Sequence, residues 1–364
     1  MSKITSIATN TPAHVHSQNN LFQFADAVYS QNPVDSRKLR FLYRQSGIET
    51  RYSVLPDYSL PTGERTFFAN SKDLEPFPTI EQRMKTYSDT AVALSVDTIR
   101  DCIKGKLKAN EITHLITVSC TGMSAPGLDL DIMEVMELPV NTQRTSVNFM
   151  GCYAAIHALK LAHAFCSSTP GANVIVVCTE FCTLHFQKEN TTDNIMSSLL
   201  FADGCGAMLV QQADNIKGIR LQNFFSEVAF NGKKDMSWQL SGKGFLMTLT
   251  GYVPELLKED FEKLVTKALS AAGVSRTDVT HWCIHPGGKK ILQVIEESLA
   301  LKDDELACSY EVLKNYGNMS SASIVFVLQL IMKEIEMQPG NAANIFAAAF
   351  GPGLTMETFL ATYD

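Results

Sequence analysis

The sequence predicts an α/β protein built from two matched halves around a pair of buried central helices. Two observations support this prediction. First, apolar runs rich in β-branched residues alternate with segments whose apolar residues recur every three to four positions, which is typical of alternating strands and helices. Second, an ordered set of these segments occurs twice along the 364 residues. Such a repeat indicates duplication and predicts a pseudo-twofold layered sheet structure.

Each copy of the repeat begins with an amphipathic helix that is followed by a strand. The apolar residues of the two helical faces are Val92, Val96, Ile99 and Ile103 in the first copy, and Phe261, Leu264, Val265 and Ala268 in the second. The strand-like runs 111–120 (EITHLITVSC) and 278–288 (DVTHWCIHPGG) come next. Because the tetrapeptides EITH and DVTH stand at the same place in each copy, we expect the two strands to be equivalent.

Each copy then continues into a helix that is apolar nearly all round. His114 precedes Cys152 by 38 residues and His281 precedes Asn318 by 37, and apolar segments begin at both end points. Helices of this kind are buried, so Cys152 and Asn318 are predicted at the N-termini of two central helices. A further strand follows in each copy. We therefore divide the chain into an N-terminal half, 1–215, and a C-terminal half, 216–364.

Composition excludes several classes of protein. Hydrophobic residues make up 45% of the chain and charged residues 19%, which argues against disorder. The net charge of −7, with no basic tract, argues against duplex nucleic acid as a partner. No apolar run approaches the roughly 18 residues of a membrane span, and the first residues lack the apolar core of a signal peptide. The default expectation is a cytoplasmic protein. Residues 57–78 are predicted to form an excursion at the protein surface.

The nine cysteines suggest neither disulfides nor zinc. Their number is odd, and no CxxC pair is present. We expect no metal ion, and most of the thiols should be small buried apolar groups.

Three residues could together carry out chemistry on a thioester. A cysteine at a buried helix N-terminus feels the positive end of the helix dipole, which favours the nucleophilic thiolate. His285 ends an apolar run before Pro286, which predicts a strand end that faces a cavity, and Asn318 supplies a neutral amide donor. We expect an imidazolium–thiolate pair at rest. The alternatives are simple packing of Cys152, a satisfied core histidine at 285 and helix capping by Asn318.

Motifs along nearly the whole chain resemble one enzyme family. They are SCTGMSAPGLD (119–129), NFMGCYAA (148–155), VCTEF (177–181), LLFADG (199–204), HPGGKKIL (285–292), NYGNMSSAS (315–323) and AFGPGLTMET (349–358). In this combination the chain resembles the type III polyketide synthases, the chalcone-synthase-like family, in their bacterial form. The resemblance implies the thiolase fold, in agreement with the duplication, and a catalytic triad of Cys152, His285 and Asn318.

The resemblance also implies a reaction. An acyl-CoA starter would acylate Cys152, and malonyl-CoA would lose CO2 while His285 and Asn318 hold its thioester carbonyl. The enolate would attack the acyl-enzyme, and after repeated cycles the chain would close to a pyrone, a resorcinol or a related product. The CoA thioesters are substrates, and no cofactor is implied.

Pocket and partner residues are assigned by the same resemblance. Phe201 and Met247 stand at the gatekeeper positions, with Met where the plant pattern has Phe. Cys182 and His185 replace small cavity-lining threonines, Ser320 lines the cavity beside Asn318, and the residues of the cyclisation loop are Gly351, Pro352 and Gly353. Met123 matches a methionine that reaches into the partner's cavity, which implies a homodimer. The basic residues implied at the CoA entrance are Lys38, Arg40 and Arg44.

Other functions are compatible with the same residues. A β-ketoacyl-ACP synthase III-like enzyme would perform one condensation on a carrier-protein substrate with the same fold and triad. A non-catalytic thiolase-fold scaffold is the alternative from another class. Within the first function, the flexible Met247 would admit a long acyl chain and hence alkylpyrone or alkylresorcinol products, and an aromatic starter is the alternative.

Overall fold

Strands and helices alternate along the chain in the computed structural model, which describes residues 2–212, 215–338, 340 and 343–364. The strands within these residues are β1 (Ser2–Asn10), β2 (His14–Ser17), β3 (Thr50–Ser53), β4 (His114–Ser119), β5 (Gln143–Asn148), β6 (Asn173–Phe181), β7 (Asp203–Gln212), β8 (Ile219–Val228), β9 (Met236–Ser241), β10 (Gly244–Leu249), β11 (His281–Ile284), β12 (Ala343–Gly351) and β13 (Thr355–Tyr363). The helices are α1 (Gln18–Tyr29), α2 (Pro33–Gln45), α3 (Ile80–Ile103), α4 (Leu128–Met136), α5 (Ala154–Ser168), α6 (Thr192–Leu200), α7 (Val253–Ala272), α8 (Lys289–Leu299), α9 (Ala307–Tyr316) and α10 (Ser323–Met337).

The main sheet confirms the α/β class and repeats one pairing pattern in its two parts. Its strand order is β11-β12-β13-β8-β1-β7-β6-β4-β5. In the first part β4 and β6 are parallel, and β7 and β1 follow antiparallel. In the second part β11 and β12 are parallel, and β13 and β8 follow antiparallel. The two parts join where β1 pairs with β8, so equivalent strands occupy equivalent places on either side of this junction.

The two apolar helices lie between the halves, as the sequence predicts. Helix α5 contacts β6 and β7 of the first half and β13 of the second, while α10 contacts β11 of the second half and β1 and β7 of the first. Their side chains share one buried cluster with residues of both halves. The first two turns of each helix are almost entirely buried, and the C-terminal ends of both reach the surface.

The chain enters these helices later than the sequence predicts. Cys152 precedes α5 by two residues, with Tyr153 as the N-cap. Asn318 precedes α10 by five residues, and the short 3-10 turn Ser320–Ala322 lies between them. Left-handed backbone conformations at Gly151 (φ 94°) and Ser320 (φ 51°) turn the chain before each helix begins. The two functional side chains therefore lie on turns, not in the first helical turn.

The segment 57–78 lies largely at the surface, as its prolines and charges predict, but a few of its residues anchor it in the core. The carboxylate of Asp57 is fully buried and accepts hydrogen bonds from the backbone N–H groups of Thr66, Phe67 and Phe68. These bonds fold the segment back, so that Phe68 and Leu74 enter the core. A single buried acceptor that satisfies several backbone donors replaces regular secondary structure here.

Hydrogen bonds tie the hairpin of β9 and β10 to the N-terminal half. The indole Nε1 of Trp238 donates to the carbonyl of Cys120 (2.7 Å), the backbone N–H of Phe245 donates to Nδ1 of His185 (3.1 Å), and the Gln187 amide donates to the carbonyl of Lys243 (3.1 Å). These bonds hold the hairpin over the site described below. Among the described helices, none has both the length and the apolar character needed to cross a bilayer.

Candidate active site

Cys152, His285 and Asn318 line one cavity, here called the inner cavity. Cys152 comes from the turn before α5, His285 follows the end of β11, and Asn318 follows α9. The other residues of its wall, mostly apolar, are Cys120, Thr121, Gly151, Cys182, Phe201, Met236, Trp238, Met247, Leu249, Gly287, Ile291, Ser320, Phe350 and Pro352. The fold thus brings a thiol, an imidazole and a carboxamide from both halves to one enclosed space.

The turn that carries Cys152 is packed against the loop 351–353. A Cβ atom on Gly151, whose φ is 94°, would overlap the ring of Pro352. A Cβ atom on Gly351 would approach the backbone nitrogen of Cys152 to 3.1 Å. Of the three predicted loop residues, Pro352 lines the inner cavity, and Gly351 and Gly353 are not among its described lining residues. Gly351 instead allows the loop to approach closely and support the cysteine turn.

His285 is held as a neutral imidazole. Its side chain is 1% exposed, and neither ring nitrogen has a hydrogen-bond partner among the described residues. Its ring lies edge-on to Phe350, with the centroids 5.7 Å apart. Burial lowers the pKa of His285 to about 3, because the charged form would lose its hydration. Both nitrogens are therefore free of partners among the described residues.

The Asn318 carboxamide is oriented by two hydrogen bonds. Its Oδ1 accepts from the backbone N–H of Ser320 (2.9 Å), and its Nδ2 donates to the carbonyl of Gly287 (3.2 Å). The capping alternative is not realised, since Met319 is the N-cap of the 3-10 turn and Ala322 is the N-cap of α10. These bonds use one Nδ2 hydrogen. The second can point to an oxygen in the cavity.

The surroundings of Cys152 and His285 oppose the expected imidazolium–thiolate pair. Burial raises the pKa of Cys152 to about 12, and the side chains of Ser320 and Asn318 oppose the rise only partly. Desolvation wins because Cys152 is buried and lies outside the first turn of α5, where the helix dipole acts most strongly. With the pKa of His285 lowered as well, both groups are neutral.

The predicted gatekeepers separate the inner cavity from a second one, here called the adjoining cavity. Phe201, Met247 and Cys182 line both cavities, and so does Trp238. His185 lines only the adjoining cavity. Its Nε2 bonds the carbonyl of Thr121 (2.8 Å) and its Nδ1 accepts from Phe245, on whose ring it is stacked at 4.2 Å. Burial lowers the pKa of His185 to about 3, so this side chain is a fixed neutral wall.

Sequence reasoning missed two residues beside the site. Trp238 pairs directly with Met247 across the β9–β10 hairpin, and the turn around Gly242 would have given that register. Glu180 is fully buried, where it accepts hydrogen bonds from Thr121, Ser321 and the backbone of Cys120. Burial raises the pKa of Glu180. The sequence signal for Glu180 is a single acidic residue inside the apolar run 173–181, because a buried carboxyl group needs hydrogen-bond partners within the protein.

The remaining assigned residues lie outside the two cavities. Met123 is 46% exposed and borders a separate small surface cavity, so its role towards a partner chain stays a prediction. Arg40 and Arg44 line a surface groove between α1 and α2, and Arg40 stacks over Phe22. Lys38 is exposed on the same helix and does not line that groove. Among the described residues, no group of three or more metal-ligating side chains could hold an ion.

The comparisons with known proteins all indicate the same kind of enzyme, and the matches extend over nearly the whole chain. Residues 1–214 match the family model "Chalcone and stilbene synthases, N-terminal domain", and residues 220–362 match its C-terminal domain. The chain is 30% identical to the alpha-pyrone synthesis polyketide synthase-like Pks18 of Mycobacterium tuberculosis, over 98% of this chain and 90% of the relative. It is 28% identical to type III polyketide synthase C of Arabidopsis thaliana, over 98% and 94%. The crystal structure of PKS-I from the brown alga Ectocarpus siliculosus superposes with a TM-score of 0.92 at 26% identity, covering 100% of this chain and 98% of that one.

Proposed function

This chain belongs to the chalcone and stilbene synthase family and is an acyltransferase of the type III polyketide synthase class, and on that premise we propose a specific reaction cycle. Cys152 is loaded by an acyl-CoA starter, and the acyl group is extended by decarboxylative condensation with malonyl-CoA. The product is then cyclised to a pyrone, a resorcinol or a related ring. The observation that supports this proposal is the convergence of Cys152, His285 and Asn318 on one buried cavity.

The loading step follows from the neutral thiol and imidazole. His285 accepts the proton of the Cys152 thiol as the sulfur attacks the thioester carbonyl of the starter. A carbon–sulfur bond to the enzyme forms, the bond to CoA breaks, and the proton leaves with CoA as its thiol. The ring nitrogens have no protein partner, so the imidazole is open to this proton. The burial that keeps the ring neutral opposes the transfer, and the negative charge that develops on the sulfur and the thioester oxygen offsets that cost.

The condensation step uses the amide and the imidazole as donors. The bond from malonyl-CoA to its carboxylate breaks and CO2 leaves, while Nδ2–H of Asn318 and an N–H of His285 stabilise the enolate oxygen. The enolate carbon then attacks the acyl group on Cys152, a carbon–carbon bond forms and the bond from the acyl carbon to the Cys152 sulfur breaks. The sulfur leaves as a thiolate and takes a proton from water. Two donors aimed at the place where charge develops lower the barrier most effectively in an enclosed apolar site.

We propose short or aromatic starters. The bulky side chains of Phe201 and Met247 lie in the wall that the inner and adjoining cavities share, and they would obstruct a long fatty acyl chain that runs from one cavity into the other. Arg40, Arg44 and Lys38 offer cations to the CoA phosphates. A homodimer in which Met123 enters the partner's cavity is part of the proposal, and the exposure of Met123 supports it.

The reaction is tested by incubating the purified protein with malonyl-CoA and a panel of acyl-CoA starters, and in parallel with acyl carrier protein substrates. We expect cyclised products from CoA thioesters and none from Cys152→Ala. A single β-ketoacyl product formed only on carrier protein would favour the synthase III-like enzyme, and no turnover at all would favour the scaffold.

A further inference from the structure

Helix α2 has an exposed side on which cations and apolar side chains are interleaved. Its buried residues, Leu39 and Tyr43, anchor it in the core. Its exposed cations are Arg37, Lys38, Arg40 and Arg44, and its exposed large apolar residues are Val34 (47%), Phe41 (63%) and Leu42 (37%). One set of these residues stands at positions i, i+3, i+4 and i+7, which share one side of a helix. This set, here called the outer ridge, consists of Val34, Arg37, Lys38 and Phe41.

The four cations of α2 have no counter-ion in the part of the chain that the structure describes. None of them forms an ion pair there. The single acid of α2, Asp35, accepts from the amide of Asn32, and the single acid of α1, Asp26, accepts from the hydroxyls of Ser30 and Ser36. Uncharged donors thus satisfy the neighbouring carboxylates. On a chain with a net charge of −7, α2 is therefore a local positive surface open to an anionic partner.

Binding of CoA accounts for only part of this surface. Arg40 and Arg44 line the groove between α1 and α2, and the residues of the outer ridge are not among the described residues that line it. Phosphates attract cations, but they give no reason for large apolar side chains beside those cations. Phe41 would gain free energy by leaving water. The outer ridge therefore fits a partner that offers negative charge and an apolar phase together.

A bilayer with anionic headgroups offers both. Surface helices of this kind place Phe, Leu or Val at the boundary between headgroups and acyl chains and keep Lys and Arg among the headgroups. A protein partner fits less well. The anchors of protein interfaces fill pockets, and lysine is depleted at such interfaces. On α2 the aromatic residue protrudes between cations, with Lys38 beside it, which favours a lipid surface over a shaped protein surface.

We propose that the outer ridge docks this protein on membrane surfaces rich in anionic phospholipid, with Val34 and Phe41 entering the boundary between headgroups and acyl chains. The positive surface continues into α8, because a Cβ atom on Gly47 would lie 3.1 Å from Cδ of Lys289. Two residues before Lys289, Gly287 lines the inner cavity. Docking thus brings the surroundings of the proposed active site to the bilayer. It is independent of the proposed reaction and is measured without turnover.

Vesicle binding tests this docking directly. The purified protein is sedimented with vesicles of equal parts phosphatidylglycerol and phosphatidylcholine, and in parallel with vesicles of phosphatidylcholine alone. We expect the affinity for the anionic vesicles to be higher by about tenfold or more and to fall as salt is added, since salt screens the cations. Equal binding to both kinds of vesicle, or binding to neither, overturns the proposal.

A matched pair of double variants locates the binding surface. Arg37→Glu combined with Phe41→Ser should lower the affinity for anionic vesicles by about tenfold or more, because it reverses one charge and removes the inserted ring. Arg276→Glu combined with Phe230→Ser is the control. It changes the same residue types and the same charge at exposed positions elsewhere, with Phe230 78% exposed, and should bind like the wild type. Equal losses in the two double variants would contradict docking through α2.

Lysine labelling gives a second measurement on the unmodified sequence. Acetic anhydride is applied with and without anionic vesicles, and the labelled lysines are mapped by mass spectrometry. Lys38 should be labelled about threefold more slowly or less with vesicles present, while the exposed Lys106, which follows α3, should not change. Unchanged labelling of Lys38 overturns the proposal. Protection of Lys38 by an acidic carrier protein, and not by vesicles, would overturn it in favour of a protein partner.

Discussion

The starts of the parallel strands are nearly identical in the two halves. Before β4, the hydroxyl of Thr113 donates to the carbonyl of Asn173 (3.1 Å) and accepts from its N–H (2.9 Å). Before β11, Thr280 makes the same two bonds with Asn344, at 3.1 and 2.8 Å. Both asparagine amides then donate, at 2.8 Å, to the carbonyl of an acidic residue upstream. The repeated tetrapeptides thus perform the same structural task twice.

The opposite ends of the same strands differ. β11 leads to His285, with its unpartnered ring, whereas β4 leads to Cys120, whose backbone is held by Glu180 and Trp238. The turns before the central helices differ in the same way, with a thiol at 152 and a carboxamide at 318. The strand starts therefore stabilise the same fold in both halves, while the strand ends and the turns before the helices supply different chemical groups to one cavity.

The largest effect should follow from removing the thiol. Cys152→Ala removes the thiol that the proposed cycle acylates, so condensation should become undetectable with any starter that the wild type uses. Cys166→Ala on α5 is the matched control, because Cys166 is equally buried and lies outside the inner cavity. It should keep turnover. Product analysis by mass spectrometry measures both, and products from Cys152→Ala would disprove the role of the thiol.

The next largest effect should follow from removing the hydrogen-bond donors of the second half, His285 and Asn318. His285→Ala and Asn318→Ala should each lower the rate of malonyl-CoA decarboxylation by about 10²-fold or more, because each removes a donor to the enolate. Asn318→Asp keeps the shape but places a carboxylate beside the forming negative charge, so it should not rescue the rate. CO2 release assays measure the effect. Full decarboxylation in either alanine variant would assign that side chain to structure alone.

The ionisation of Cys152 should set a steep pH dependence. Because the pKa of Cys152 is raised to about 12, the thiolate fraction, and with it the rate of alkylation by iodoacetamide, should rise about tenfold per pH unit between pH 7 and pH 9. Peptide mapping of the labelled protein isolates this thiol from the other cysteines. Ser320→Ala removes a side chain that lowers the pKa and should slow the reaction at each pH. Fast labelling that is constant from pH 5 to pH 7 would restore the imidazolium–thiolate pair.

The smallest effects should come from the matched strand starts. Asn173→Ala and Asn344→Ala each break one hydrogen bond to a backbone carbonyl and should lower the free energy of unfolding by about 1 kcal/mol. Asn173 also accepts from Gln211 (2.7 Å), so its replacement should cost more. Denaturant unfolding measures both. A larger loss for Asn344→Ala would contradict this ranking.

The repeated structural elements can be predicted from the sequence, because periodicity and the paired tetrapeptides indicate local structure directly. The sequence therefore predicted the α/β class, the duplication and the central helices. The triad came from the motifs around Cys152, His285 and Asn318. The three-dimensional surroundings of each residue could not be predicted from the sequence. The burial that raises the pKa of Cys152 and the hydrogen bond that holds Trp238 against the carbonyl of Cys120 depend on residues distant in sequence.

The most direct test of the account is the identity of the acylated residue. The protein is incubated with an acyl-CoA starter in the absence of malonyl-CoA, quenched in acid, digested and mapped by mass spectrometry. The account predicts that the acyl mass is found on the peptide that contains Cys152 and that it disappears on addition of malonyl-CoA. Acylation of Cys120 or Cys182 instead, or a Cys152 acyl group that malonyl-CoA cannot discharge, would contradict it.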